Sequence, residues 1–217
     1  MSESTQTTSL AKYIVIDGID GGGKTTLFST LKEAFTFPDF VFTREPGGTD
    51  VGEKLRSIVL QDQMSPLAEF WLFLAQRKEV RDQVVTPNLT KKSCVISDRS
   101  DSSTFAYQIR GRNLPYLEEQ FWESRKTIAP LPSLYIFLDL DPEVAAKRLG
   151  KRESDGQSGD RFDSQSSIFF DRVRKGFVEF AQKVGTPCIF VDATLSQQEL
   201  SEKVITHIKK HLLASVD

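Results

Sequence analysis

Cysteine, histidine, tryptophan and methionine each occur only twice in 217 residues. Cys94 and Cys188 are too few for a disulfide framework or a cysteine-rich metal site, and both sit in strand-like apolar runs, which predicts small buried thiols. His207 and His211 fall in the C-terminal stretch, where solvated side chains are expected. A basic excess is missing too: the formal net charge is -2, so nucleic acid is not an expected partner and any bound anion must be met by local cations. No apolar run approaches the ~18 residues needed to span a bilayer, so no membrane partner is expected. The first ten residues lack the basic start and apolar core of a secretory signal. These absences predict a cytoplasmic protein with a disordered tail over 1–11 and a single domain over 12–217.

What the chain does have is a concentrated phosphate signal. Tyr13 to Ile16 is an apolar, partly β-branched run that breaks into glycines and then into Lys24, Thr25 and Thr26. Gly18 and Gly23 followed by Lys24 and Thr25 have the spacing of a P-loop. In such a loop the backbone from Gly18 through Ile19, Asp20, Gly21, Gly22 and Gly23 wraps phosphate oxygens. The lysine reaches the outer phosphates and the Thr25 hydroxyl ligates magnesium. Leu27, Leu31 and Phe35 recur at helical spacing, so a helix starts near Lys24 and points its positive end at the same anion.

Strands at 40–43, 93–97, 134–138 and 187–191 then alternate with helical patterns. Val51, Leu55, Ile58 and Val59 predict an apolar stripe with Arg56 off it, and 66–86 predicts a central buried helix that Pro87 helps to end. Further helices are expected over 102–110, 116–128 and 142–150, along Ile168, Val173, Phe177, Phe180 and Val184 up to Gly185, and after a Ser196/Glu199 capping box. Residues 151–163 are polar, glycine-bearing and basic at both ends, as a lid would be; its extent is about 150–165. Strands alternating with helices imply an α/β fold, a five-stranded parallel sheet covered on both faces, with ligands at the carboxyl ends of the strands.

Thr43-Arg-Glu-Pro-Gly-Gly-Thr49, Gly52 to Arg56, Phe73 to Arg77, Asp98-Arg99 and Ser103 to Gln108 stand in an order and spacing that closely resembles the thymidylate kinases of bacterial type, from Lys12 onward. The resemblance implies the P-loop kinase fold, transfer of a phosphoryl group from ATP to dTMP with Mg2+, and a homodimer. It also implies roles. Asp20 meets the deoxyribose 3′-hydroxyl. Arg44, Arg77 and Arg99 hold the acceptor phosphate or bridge the two phosphates, a task that suits the planar guanidinium fork. Glu45 belongs to the same substrate loop. Phe73 lies one helical turn before Arg77, placed to stack on the base. Arg56, Ser103, Thr104 and Gln108 face the thymine edge, Tyr107 crowds the sugar, and Asp98 serves the magnesium site.

Two positions depart from the pattern: Ser100 stands where Tyr or His is usual, and Asp17 where Glu is usual. Gly21 and Gly22 also leave the P-loop without the arginine that one branch of the family carries there. Cationic help beyond Lys24 and Arg99 is therefore expected from Lys151, Arg152 and Arg161 of the lid, with Arg152 and Arg161 as catalytic residues. No protein base is required, because a phosphate monoester with a second pKa of about 6 is mostly dianionic at pH 7. Two rival readings are another nucleoside monophosphate kinase and a P-loop switch. The switch reading lacks an Asn-Lys-x-Asp guanine-reading motif.

Overall fold

A computed structural model describes residues 11–36, 38–154, 161–162 and 165–214, the side chains of 152–154 excepted. Residues 1–10 of the expected N-terminal tail and 155–160 and 163–164 of the expected lid thus lie outside the described residues. Five parallel strands form one sheet: β1 (Tyr13–Gly18), β2 (Phe40–Arg44), β3 (Cys94–Asp98), β4 (Leu134–Asp139) and β5 (Cys188–Asp192). Their order is β2-β3-β1-β4-β5. From β1 the chain leaves toward β2, and from β3 it leaves toward β4, so the β1/β3 crevice is the switch point at which open α/β sheets bind ligands. Register brings the site together there: Ile16 and Arg44 both pair with Asp98, and Gly18 pairs with Leu138.

β1 is buried from end to end because strands flank it on both edges and helices pack on the sheet. At its end Gly18 has φ 136°, and a Cβ there would come 2.4 Å from the Leu138 carbonyl oxygen. Only glycine lets β1 turn into the P-loop at this distance from β4.

Helix α1 (Lys24–Ala34) buries Leu27, Phe28 and Leu31, and Phe35 just past its end, as its spacing predicts. In α2 (Asp50–Gln61) the expected stripe is only partly realised. Val59 is buried, but Val51 and Ile58 are 49% and 40% exposed, because the helix makes its closest packing along the Gly52–Val59 line. Helix α3 (Pro66–Val80) passes through a π turn (Arg81–Val85) into α4 (Thr86–Thr90). Pro87 therefore does not end the helix. The Thr86 N–H bonds back to Arg81 O, five residues earlier, and this wider register seats a proline that has no N–H to place.

Helix α5 (Asp101–Thr104) continues as a π segment (Phe105–Gly111). There follow α6 (Glu118–Thr127), α7 (Pro142–Ser154), α8 (Ser167–Lys183) and α9 (Gln197–Leu213), the last with its Ser196/Glu199 capping box formed. Ile168 is exposed, and Phe169 and Phe170 take its expected place in the core. Cys94 is buried but Cys188 only half-buried; burial pushes both thiols up to about 12. His211 is half-buried, with its Nε2 2.9 Å from Ser133 Oγ, rather than solvated. No helix among the described residues is long and apolar enough to cross a membrane.

Candidate active site

Gly21 and Gly23 take left-handed conformations (φ 80° and 85°), and the first turn of α1 has no side-chain cap. Its N–H groups are thus available to an anion, reinforced by the helix dipole. Lys24 is buried, and its Nζ donates to the Gly18 and Ile19 carbonyls, each at 3.0 Å. Burial and the neighbouring Arg99 hold its ammonium below the ordinary lysine range, against the pull of Asp20, and a bound phosphate would favour the charged form. Thr25 and Thr26 are exposed at the helix start. Helix α7 backs this loop: a Cβ on Gly21 would lie 3.1 Å from the Ala145 carbonyl oxygen. Arg148 Nη1 donates to Gly21 O at 3.1 Å and Ala193 O at 3.0 Å. The sequence reading missed Arg148; its only signal was a basic pair, Lys147-Arg148, inside an amphipathic helix.

At the end of β3, Arg99 has φ 66° and turns across to the P-loop. Its Nη1 donates to Asp17 Oδ1 (3.1 Å), Gly18 O (3.1 Å) and Ser103 Oγ (2.9 Å), and its Nη2 pairs with Asp20. Asp17 is fully buried and also accepts from Ser102 and Ser103, at 2.6 and 2.7 Å. Asp98 Oδ1 is buried without a hydrogen-bond partner among the described residues, and burial raises its carboxyl above the usual range. No group of three or more His, Cys, Asp or Glu side chains converges among the described residues. One orphaned carboxylate beside Thr25 at the cradle nevertheless fits magnesium, which keeps several waters and needs only one or two protein carboxylates.

Beside the cradle lies a cavity of about 380 Å³. One end is aromatic: the Phe162 ring is 6.3 Å from Phe73 and 5.9 Å from Tyr107, centroid to centroid. The Tyr107 hydroxyl donates to Asp20 Oδ2 at 2.7 Å. Gln108 Nε2 donates to Glu69 Oε1 at 2.8 Å, and Arg56 Nη1 to Pro46 O at 2.7 Å. Arg77 also lines the cavity, its Nε on Glu45 Oε2 (2.8 Å) and its Nη2 on Ser100 O and Thr104 Oγ1 (3.1 and 2.8 Å). Thr104 is fully buried and does not line the cavity, so its hydroxyl serves Arg77. Glu45 lines the cavity and pairs its two oxygens with Arg77 and Arg81. Arg44 faces an adjoining cavity shared with Thr25, Asp98 and Arg99, where Glu53 holds it at 3.2 and 2.8 Å.

Arg161 is not brought to the P-loop. It is docked on α2 and α3: Nε donates to Val59 O at 2.7 Å, and Nη1 pairs with Glu69 at 2.7 Å. This places it over the Phe162 ring, 4.6 Å from its centroid, at the aromatic end of the cavity. The buried Glu69 carboxylate, which also holds Arg112 and Gln108, draws it there. The side chain of Arg152, at the end of α7, lies outside the described residues. Glu69 and Phe162 were also missed in the sequence; a lone aromatic in a polar loop was the available signal for Phe162.

A phosphate cradle and an aromatic cavity bridged by arginines is the layout of a nucleotide-to-nucleotide phosphoryl transfer site. A family model described as thymidylate kinase matches residues 16–204. The chain belongs to the thymidylate kinase family. It is 37% identical over 199 residues to a thymidylate kinase of Paraburkholderia xenovorans, covering 89% of this chain and 95% of that one. To a thymidylate kinase of Kosmotoga olearia it is 35% identical over 197 residues, covering 89% and 93%. The crystal structure of thymidylate kinase from Ehrlichia chaffeensis superposes with a TM-score of 0.71 at 26% identity, over 92% of this chain and 98% of that one. As a thymidylate kinase the enzyme phosphorylates dTMP from ATP, giving dTDP and ADP.

Proposed function

We propose that dTMP occupies the aromatic cavity with its phosphate against Arg77 and Arg99, and that ATP lays its phosphates in the Gly18–Thr26 cradle on the other side. The observation that carries this reading is that one cavity is lined by the aromatic rings, by Arg77 and Arg99, and by Lys24 and Thr25 of the glycine loop, with Arg99 bonded to Gly18 O. Arg44 and Arg56 extend the positive wall. Asp20 takes the sugar hydroxyl once a phosphate competes for Arg99.

The base end favours thymine over cytosine. Glu69 as a carboxylate only accepts, so Gln108 gives it Nε2 and keeps the acceptor Oε1 for the ligand. Thymine offers an N3–H donor there, whereas cytosine offers a lone pair.

The acceptor is already dianionic, so the chemistry is positioning plus charge neutralisation by Lys24, Arg99 and a lid arginine, for which Arg152 is our candidate. Magnesium held by Asp98, largely through water, and by Thr25 would offset charge on the phosphate oxygens. We read 12–217 as one domain of a cytoplasmic homodimer. Val51 and Ile58, seven apart on α2, and Leu67 and Trp71, four apart on the adjacent α3, leave apolar faces exposed that suit a second copy.

Calorimetric titration tests the division of the site. Lys24→Ala should lose turnover and keep dTMP binding, whereas Arg77→Ala should weaken dTMP and leave ATP binding nearly intact. Loss of ATP affinity in Arg77→Ala would refute it.

A further inference from the structure

Arg81 is the largest fully buried side chain among the described residues, and nothing in the transfer chemistry so far uses it. It opens the π turn, one turn beyond Arg77. Its Nη1 donates to Glu45 Oε1 at 2.6 Å and its Nη2 to Ser100 Oγ at 2.8 Å. The guanidinium lies 4.4 Å over the Tyr13 ring, and the Tyr13 hydroxyl closes the cluster on Ser100 Oγ at 3.3 Å. Glu45 is therefore shared, one oxygen to Arg81 and the other to Arg77. Ser100 is the small residue whose hydroxyl accepts one arm of the Arg81 guanidinium.

The charges do not balance. Burial pushes the Tyr13 hydroxyl far up, so it stays neutral, and nearby Asp101 is already matched by Arg125 at 2.5 Å. Within this cluster two guanidinium groups thus share one carboxylate, leaving one positive charge in excess. Buried ion pairs are poor contributors to stability, and a buried excess charge is worse. An anion in the cavity relieves it.

We propose that Arg81 is a positioning residue that sets the charge offered to the acceptor monophosphate. By neutralising Glu45 from behind, it leaves a net positive charge on Arg77, which lines the cavity and whose buried Nη1 has no hydrogen-bond partner among the described residues. Paired with Glu45 alone, Arg77 would be half of a neutral pair and a weak attractor for a dianion. The inference rests on the reading that Arg77 faces the acceptor phosphate.

The test compares dTMP with thymidine, the same base and sugar without the charge, by calorimetry. Phosphate selectivity is the ratio of the thymidine Kd to the dTMP Kd. Arg81→Met should lower it at least about tenfold while thymidine affinity changes little. Glu45→Gln added to Arg81→Met returns the excess charge and should recover most of the selectivity, as should Arg81→Lys. A parallel loss of both ligands at constant selectivity would mean a merely structural role and overturn the proposal. If Arg81→Met does not fold, Glu45→Gln alone, which raises the excess from one charge to two, should increase selectivity at least about threefold, and no change would overturn it. Arg77→Gln separates the two readings. Unchanged selectivity there removes the Arg77 assignment itself, whereas a loss there with none in Arg81→Met removes only the role of Arg81.

Discussion

Arg99, at the end of β3, is ion-paired to Asp20 in the P-loop, and Tyr107 donates to the other oxygen of the same carboxylate at 2.7 Å. The acceptor side and the donor side are thus latched together by one aspartate before either substrate arrives. Burial opposes the Asp20 charge, but Arg99, Lys24 and the Tyr107 hydrogen bond outweigh it and hold the carboxyl below its ordinary value of 3.8.

That depression has a sign. A carboxyl whose folded-state value lies below its unfolded value contributes stability fully above the unfolded value and loses it as pH falls toward the folded one. Wild-type unfolding free energy should therefore fall more steeply than that of Asp20→Asn as pH drops from about 5 to about 3. Denaturant titrations at both pH values measure this, and parallel slopes would mean that Asp20 is not held in its charged form by the latch.

Glu69 is expected to govern base choice from behind the cavity. It holds Gln108, Arg112 and Arg161 together, so Glu69→Gln leaves the Gln108 amide free to reverse. The ratio of specificity constants for dTMP over dCMP should shrink by about tenfold, the 1.4 kcal/mol of one good hydrogen bond. Steady-state kinetics with both nucleotides reads it, and an unchanged ratio would show that Gln108 is not oriented by Glu69.

The two lid arginines should separate. Arg161, docked against Val59 and Glu69, is predicted to act on substrate retention, so Arg161→Ala should raise the dTMP KM with little effect on kcat. Arg152→Ala should instead lower kcat at least about tenfold, since an arginine at the transferring phosphoryl group is worth on the order of 10³ or more. Equal effects of the two variants on kcat would place both at the transferring group.

Arg148→Ala removes two hydrogen bonds that a charged group donates to Gly21 and Ala193. Such bonds contribute about 1.5–3 kcal/mol each when well made. A lower unfolding midpoint and a raised KM for ATP, with dTMP affinity intact, are the expected outcome. An unchanged ATP KM would mean that Arg148 supports the fold without shaping the cradle.

The parts of this molecule that the sequence revealed are those in which local pattern and function coincide. The Gly18–Thr26 loop could be read because its backbone needs glycine where other residues would clash, as the 2.4 Å approach to Leu138 shows. The sheet could be read because five apolar runs alternate with helices. What stayed hidden depends on long-range charge pairing. Glu45 could be read as part of the substrate loop, but its partners Arg77 and Arg81, 32 and 36 residues away, could not. Arg161 looked like a phosphate finger, yet a carboxylate on another helix, Glu69, decides where it docks. Periodicity also overstated the α2 stripe, since Val51 and Ile58 satisfy the helical spacing yet stay 49% and 40% exposed. Pro87 misled for a local reason, the π turn that precedes it.

The most direct measurement is a coupled ADP-release assay of the enzyme with magnesium and ATP across dTMP, dUMP, dCMP and dGMP. The arrangement of Gln108, Phe73 and Phe162 predicts the highest kcat/KM for dTMP. dUMP should follow, lower by the roughly 1–3 kcal/mol that one methyl group is worth, and dCMP and dGMP should be poorest. A kcat/KM for dCMP or dGMP equal to that for dTMP would contradict the assignment of this cavity to thymine.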